Sequence, residues 1–112
     1  MTLQSRLAEL AKEFKAISGV IHHYKRVEES APFGVWAEQF ETNSDFSDNH
    51  KTAQGIGIQL DYYTQTEFDA VIDSIQSYLD NKGYPWNLEN VIFEDETNLI
   101  HYSWSFTVYG EV

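Results

Sequence analysis

The stretch AQGIGIQLDYY, residues 53–63, is the most regular segment of the sequence. Apolar side chains alternate in it with small or polar ones, which is typical of a β-strand with one buried face. The other face carries Gly55 and Gly57, which mark a bulge or let another backbone approach closely. The alternation places these side chains on the buried face: Ile56, Ile58, Leu60 and Tyr62.

Two amphipathic helices are predicted on either side of this strand. Between Thr2 and Ser18 the apolar residues recur every three or four positions, and Thr2 is a suitable N-cap. The second helix follows the strand directly, within residues 64–83. Thr64 and Thr66 each precede an acidic residue by three positions, which is the capping-box pattern. The apolar stripe of this helix comprises Phe68, Val71, Ile72, Ile75 and Leu79.

Four more strands are predicted from β-forming residues and alternation. Two precede the central strand, at residues 20–27 and 32–41, and two finish the chain, at 86–96 and 98–112. The strand at residues 32–41 places Phe33, Val35 and Ala37 on one side and Trp36, Glu38 and Phe40 on the other. The acidic segment between Phe40 and Ala53 is predicted to be a connecting loop.

The element order is therefore α-β-β-β-α-β-β. Short connections favour a mostly antiparallel sheet of about five strands. Because each helix has a single apolar stripe, we expect both on one face of that sheet, as a two-layer α+β sandwich. A chain of 112 residues, 42% hydrophobic, is the size of one domain, predicted to span residues 1–112. No apolar stretch approaches the roughly 20 residues of a membrane span, so no membrane partner is expected.

The net charge of −11 is unevenly distributed. Residues 41–112 contain Lys51 and Lys82 against thirteen carboxylates. Such a surface repels phosphate backbones, so sequence-specific nucleic-acid binding is not expected. A basic protein partner and a simple role in solubility both remain open. The sequence has no cysteine, which excludes thiolate metal sites and cysteine nucleophiles and favours an intracellular location.

The segment NSDFSDNHKT, residues 43–52, allows three interpretations: a metal site, the tip of a binding loop, or a solvated connection. An EF-hand beginning at Asp45 fails, because glycine and glutamate are missing from their required positions. Neighbouring His22 and His23 would point to opposite faces of a strand, and His101 stands alone on the last strand. No nucleophile elbow or phosphate-binding loop is present. We therefore expect neither an enzyme nor a bound cofactor or metal.

The aromatic content of the strands exceeds what one helix-covered face would bury. These aromatics are either half-exposed or form a subunit interface, where aromatic residues are enriched. The candidate interface residues are Trp36, Phe40, Tyr63, Trp86 and Tyr109.

Three segments together resemble a known class of small prophage proteins: YKRVEESAPFGVWAEQF (24–40), SDFSDNHKTAQGIGIQLDYYTQTEFD (44–69) and IHYSWSFTV (100–108). The class comprises the tail terminator, tail completion and head-to-tail joining proteins of siphophages. Its landmarks correspond here to Pro32–Val35, the acidic run Ser47–Lys51 and the strand end Leu60–Thr64. The sequence departs from the class at Ser47, where alanine is usual, at an inserted His50, and at Tyr62, where leucine is commoner.

The resemblance implies a structural protein of the virion, present in the host cytoplasm during assembly. Proteins of this class form rings, typically hexamers, that stop tail growth and join the tail tube to the head connector; no cofactor is implied. The acidic segment then becomes a partner-docking or lumen-facing loop comprising Asp45, Phe46, Asp48, Asn49, His50 and Lys51. The alternatives are a small acidic binding module, such as a phage-encoded inhibitor or DNA mimic, and a metal-binding or enzyme domain built on Asp45, Asp48 and His50.

Overall fold

Five strands form one sheet, and two helices lie on one of its faces. The computed structural model describes residues 1–112. The elements are α1 (Leu3–Ile17), β1 (Ile21–His23), β2 (Phe33–Ser47), β3 (His50–Thr64), α2 (Ala70–Asn81), β4 (Trp86–Glu94) and β5 (Leu99–Glu111). The strand order is β1-β2-β3-β5-β4, and every pairing except the parallel β1–β2 is antiparallel. The predicted α+β class and element order are confirmed.

The core lies between the helices and the sheet face that we call the helix face. Ile58 pairs with Phe106 and Leu60 with Trp104 in the β3–β5 ladder, and all four are buried. The alternation predicted for β3 and β5 is thus confirmed. The opposite face carries Gln59, Asp61 and Tyr63 of β3, and we call it the open face. The helices contribute these buried residues to the core: Leu7, Leu10, Phe14, Ile75 and Leu79.

Each helix begins at a side-chain cap. Thr2 accepts a hydrogen bond from the Ser5 backbone N–H, as expected for α1. Helix α2 begins later than predicted, because Asp69 is its N-cap and accepts from the Val71 N–H at 2.9 Å. The predicted caps were wrong: Thr64 is the last residue of β3, and its hydroxyl accepts from the Thr66 N–H.

Phe68 was also wrongly assigned to the apolar stripe of α2. It precedes the N-cap, has a positive φ of 56°, and is 92% exposed. Neither α1 nor α2 has the length and apolar composition that a transmembrane helix needs.

The first predicted strand is shorter than expected. It ends at His23 because Tyr24 has a left-handed φ of 72°, which turns the chain away from β2. In β2, a bulge between Glu38 and Phe40 interrupts the alternation. Trp36 faces the core opposite Leu60. Because of the bulge, Phe40 lies on the other side of the sheet and pairs with Gly57 on the open face.

The predicted loop between Phe40 and Ala53 is instead the end of a long β-hairpin. Strands β2 and β3 continue to Ser47 and His50 and are joined by Asp48 and Asn49, whose φ values are 51° and 67°. Positive φ at both central residues is the signature of a type I′ turn, which matches the twist of paired strands. Residues 40–53 contain no buried side chain. We call residues 40–53 the arm and residues 45–51 the arm tip.

Candidate functional site

The arm places the predicted docking residues at one end of an elongated molecule. The principal dimensions are 54 × 24 × 23 Å, and the arm tip lies at an end of the long axis because β3 runs along it. Phe46 is 65% exposed at the tip, with Asp45 beside it in β2 and Asp48 in the turn. A large aromatic side chain in water is unfavourable unless a partner covers it. The arm tip is therefore suited to docking.

The charges of the arm are mostly negative and fixed by strand geometry. Lys51 forms an ion pair with Glu41 across the hairpin. The hydrogen bond from Lys51 lowers the pKa of Glu41. Asp45 and Asp48 have no such partner, so their charge is directed to solvent. No three or more His, Asp or Glu side chains are grouped to hold a metal ion, at the arm tip or elsewhere.

The five candidate interface aromatics do not form one surface. Trp36 was wrongly predicted there: it is 1% exposed, packs edge-on against Phe14 of α1, and stacks on His23 with centroids 3.8 Å apart. Trp86 is half-buried on the helix face, where its indole N–H donates to Asp80 at 3.3 Å. These two aromatics stabilise the fold of the single chain.

Phe40 and Tyr109 lie on the open face next to the arm. The Phe40 ring lies directly over Gly57, where an added Cβ would be 3.1 Å from it. Tyr109 is 45% exposed and lies beside Gly55. Gly57 therefore makes room for an aromatic ring and Gly55 for the side chains of Thr42, Asn43 and Tyr109, and neither lies against another backbone. Both rings keep one side available to a partner.

Tyr63 belongs to a different part of the open face, at the opposite end from the arm tip. It stacks on Phe33 of β2 with centroids 4.8 Å apart and on His101 of β5 at 4.2 Å. The guanidinium of Arg26 lies 4.5 Å from the centre of the Phe33 ring, a cation–π contact. A continuous stack thus crosses three strands.

Asp61 holds the His101 ring of this stack in place through a hydrogen bond. It accepts from the His101 Nε2–H at 2.8 Å and from the Gln59 amide at 3.1 Å. Burial, together with the nearby Asp61 charge, raises the pKa of Tyr63, so its hydroxyl stays protonated. Of these residues, sequence reasoning had selected only Tyr63. Asp61, Tyr63 and His101 all lie at alternating polar-face positions, but their proximity depends on the β3–β5 pairing.

The stack forms the floor of a trough of about 450 Å³ on the open face. Lys25 and Arg26 line one side, and Glu94 and the β4–β5 turn line the other. The complete lining is Tyr24, Lys25, Arg26, Phe33, Val35, Asp61, Tyr63, Glu94, Thr97 and Leu99. A trough of this size and composition suits an apolar group that carries negative charge on one side.

A third exposed surface follows the outer edge of the sheet at β4. Leu88, Val91, Ile92 and Phe93 are each at least 40% exposed, and β4 pairs with β5 alone. An unpaired apolar edge strand is a common site of strand pairing between chains.

Comparisons with known proteins leave the family open. No protein-family model matches the chain, and no curated protein matches it. The function is therefore inferred from the geometry and from the sequence resemblance alone.

Proposed function

We propose that this protein is a structural subunit of a phage or prophage virion, a tail terminator or head-to-tail joining protein. It acts by assembling with copies of itself into a ring and docking to the tail tube or head connector. The observation that carries the proposal is the arm: a β-hairpin that contributes nothing to the core and presents exposed Phe46 and two unpaired aspartates.

The distribution of exposed apolar surface supports an assembly role. Phe40 and Phe46 on the arm, the β4 edge, and Phe68 before α2 are exposed in three separate regions. Exposed apolar patches often mark contact sites with other proteins, and subunits of assemblies bury such patches against their neighbours. Different patches at different ends of the chain also suit head-to-tail contacts, which generate rings.

The charge distribution supports passage of DNA through such a ring. Residues 41–112 hold thirteen carboxylates and two lysines, and the arm carries three of those carboxylates. Repeated around a ring, this charge gives a negative rim or lumen that DNA passes without adhering. Catalysis has no part in this function.

Mass measurement tests the proposal directly. Light scattering over a concentration series, combined with negative-stain images, is expected to show rings, either alone or after purified tail tubes are added. Co-sedimentation with tail tubes, at low and high salt, measures docking against a control protein of similar size and net charge. A chain that stays monomeric at every concentration and sediments with tubes no more than the control does would refute the assembly function.

A further inference from the structure

We propose that the arm tip of one copy docks in the open-face trough of the next copy. This inference rests on the proposed function, because it identifies the two surfaces through which that assembly forms. It joins Phe46, Asp45 and Asp48 of one subunit to the Phe33–Tyr63 floor and the Lys25–Arg26 wall of its neighbour.

The two cations of the trough, Lys25 and Arg26, have no carboxylate partner within their own chain. They are the only two adjacent cations in the sequence. The carboxylate nearest in the floor, Asp61, is already hydrogen-bonded to His101 and Gln59. Glu94 on the far wall gives the trough a polarity, so an incoming acidic group is directed to the Lys25–Arg26 side.

The arm tip has the complementary chemistry. Phe33 is only 5% exposed and the faces of Tyr63 are covered by Phe33 and His101, so a Phe46 ring would meet the edge of half-buried Tyr63 and the neighbouring Leu99. Edge-to-face aromatic contacts of this kind are favourable. Asp45 and Asp48 supply two unpaired carboxylates for the two unpaired cations. The Phe46 side chain would supply most of the apolar area that the contact buries. The charges would set the orientation of the two subunits and the rate at which they meet.

The geometry requires two different molecules. The tip and the trough lie near opposite ends of β3, about twelve residues or ~40 Å apart along a strand that rises ~3.3 Å per residue. Because β3 is continuous between them, a chain cannot place its own tip in its own trough. A contact between two different patches repeats from copy to copy, and it closes into a ring when the rotation between copies allows it.

The β4 edge does not compete for the arm. It carries Glu89 and Glu94 and no lysine or arginine, whereas the trough has Lys25 and Arg26 opposite Glu94. An acidic arm set along this edge would bring like charges together, which is unfavourable. Charge therefore favours the trough over the edge.

Engineered cysteines test the contact, since the natural chain has none. In the doubly substituted chain Asn49→Cys with Thr97→Cys, one cysteine lies at the exposed tip and the other at the exposed trough rim. Mild oxidation is expected to give a ladder of disulfide-linked trimers and larger species. The matched control combines Asn49→Cys with Ser77→Cys, exposed on α2. The control is expected to give at least tenfold less product above the dimer.

Charge reversal provides a second, independent readout. Asp45→Arg and Arg26→Glu are each expected to weaken self-association at least tenfold, measured by sedimentation. Combining the two reverses both partners and is expected to recover most of that loss. Lys12→Glu, at an exposed unpaired lysine of α1, is the control and leaves association within about twofold. Thermal melting of each variant confirms that the fold is intact.

The outcomes separate the two proposals. If the natural chain forms multisubunit particles but the tip–trough pair gives no more ladder than the control pair, the docking is refuted and the assembly function stands. Failure of the combined charge reversal to recover association likewise refutes the docking alone. A natural chain that neither self-associates nor binds tail tubes refutes the assembly function, and the docking with it.

Discussion

Glu38 shows how one carboxylate ties the end of the first strand to the sheet. It accepts hydrogen bonds from the His23 ring at 2.5 Å and from the Tyr24 hydroxyl at 2.6 Å, beside the stack of Tyr24, His23 and Trp36. Partial burial acts to raise its pKa, but the hydrogen bonds from Tyr24 and His23 outweigh burial and hold the pKa below the ordinary value. The ionised form is therefore favoured by folding.

Replacing Glu38 by glutamine is expected to destabilise the protein at pH 7 by about 1 kcal/mol, which is less than the roughly 1.5–3 kcal/mol of a buried hydrogen bond to a charged group because solvent screens this partly exposed side chain. A carboxylate whose folded pKa is lowered stabilises the fold above its unfolded pKa, and that contribution disappears as pH falls through the folded pKa. The difference between the two chains should thus shrink steadily below about pH 4.5. Urea unfolding from pH 7 to pH 3 measures it, with exposed Glu29→Gln as the control.

Gly110 marks the closest approach between β5 and α1. A Cβ at this position would lie 2.5 Å from the Leu3 Cα and 2.6 Å from its backbone nitrogen, so backbone would have to move. Gly110→Ala is therefore expected to cost about 1–3 kcal/mol, as overpacking does. Gly19→Ala, where nothing lies within 4 Å, should be close to neutral in the same thermal or urea unfolding measurement. Equal effects of both substitutions would contradict the close approach.

At the scale of elements, helix α2 depends on a single cap. The Asp69 carboxylate accepts from the Val71 N–H and also from the Tyr62 hydroxyl at 3.1 Å, which joins the helix start to the core strand. Burial, with the adjacent Asp69 charge, raises the pKa of Tyr62 well above the ordinary value. One side chain thus serves both the helix and the sheet.

Asp69→Ala is expected to destabilise the protein by about 1–2 kcal/mol, because it removes the cap and leaves a buried hydroxyl without its acceptor. Asp69→Asn keeps an oxygen that accepts from the Val71 N–H and should cost less than half as much. Chemical denaturation with circular dichroism at 222 nm distinguishes the two. If alanine and asparagine cost the same, the cap is not the source of the stability.

The elements that sequence predicted well are those with one buried face. Strands β3 and β5 and helix α1 each carry a regular apolar period, because burial imposes it on one side of the element. The strands of the arm were not predicted, because both faces of the arm are in water and its sequence therefore has no apolar period. The turn signal at Asp48 and Asn49 was hidden among neighbouring serine, asparagine and aspartate residues. Trp36 was misplaced because its side depends on its partner Leu60, which the sequence of β2 does not contain.

The trough could not be predicted because its parts come from separate strands. Arg26, Phe33, Tyr63 and His101 meet only when β2, β3 and β5 pair in the observed register. The residues of the arm tip, in contrast, are contiguous in sequence, so the sequence alone groups them, although it does not predict their hairpin. A group of residues from one segment is thus visible in the sequence, whereas a composite group requires the strand order.

At the scale of the whole molecule, the arm makes the chain larger than a compact one. The radius of gyration is 15.3 Å, whereas a compact chain of this length has about 13 Å. The excess is expected because the arm and its turn lie outside the helix-covered core.

Replacing residues 45–53 by a two-residue Asn-Gly turn joins Ser44 to Gln54, which are already register partners. The shortened chain is expected to unfold with a free energy within about 1 kcal/mol of the natural one, since no core residue is removed. It should nevertheless lose self-association and tail-tube binding. Calorimetry and light scattering measure the two properties separately. A shortened chain that fails to fold would show that the arm supports the core after all.

Strand β3 links the arm to the body along its whole length, pairing with β5 from Ala53–Glu111 to Thr64–Ile100. A pull on the arm along this axis therefore strains the entire ladder at once and does not peel it apart bond by bond. If the arm docks as proposed, the load at each contact would be shared by the whole β3–β5 ladder of its subunit.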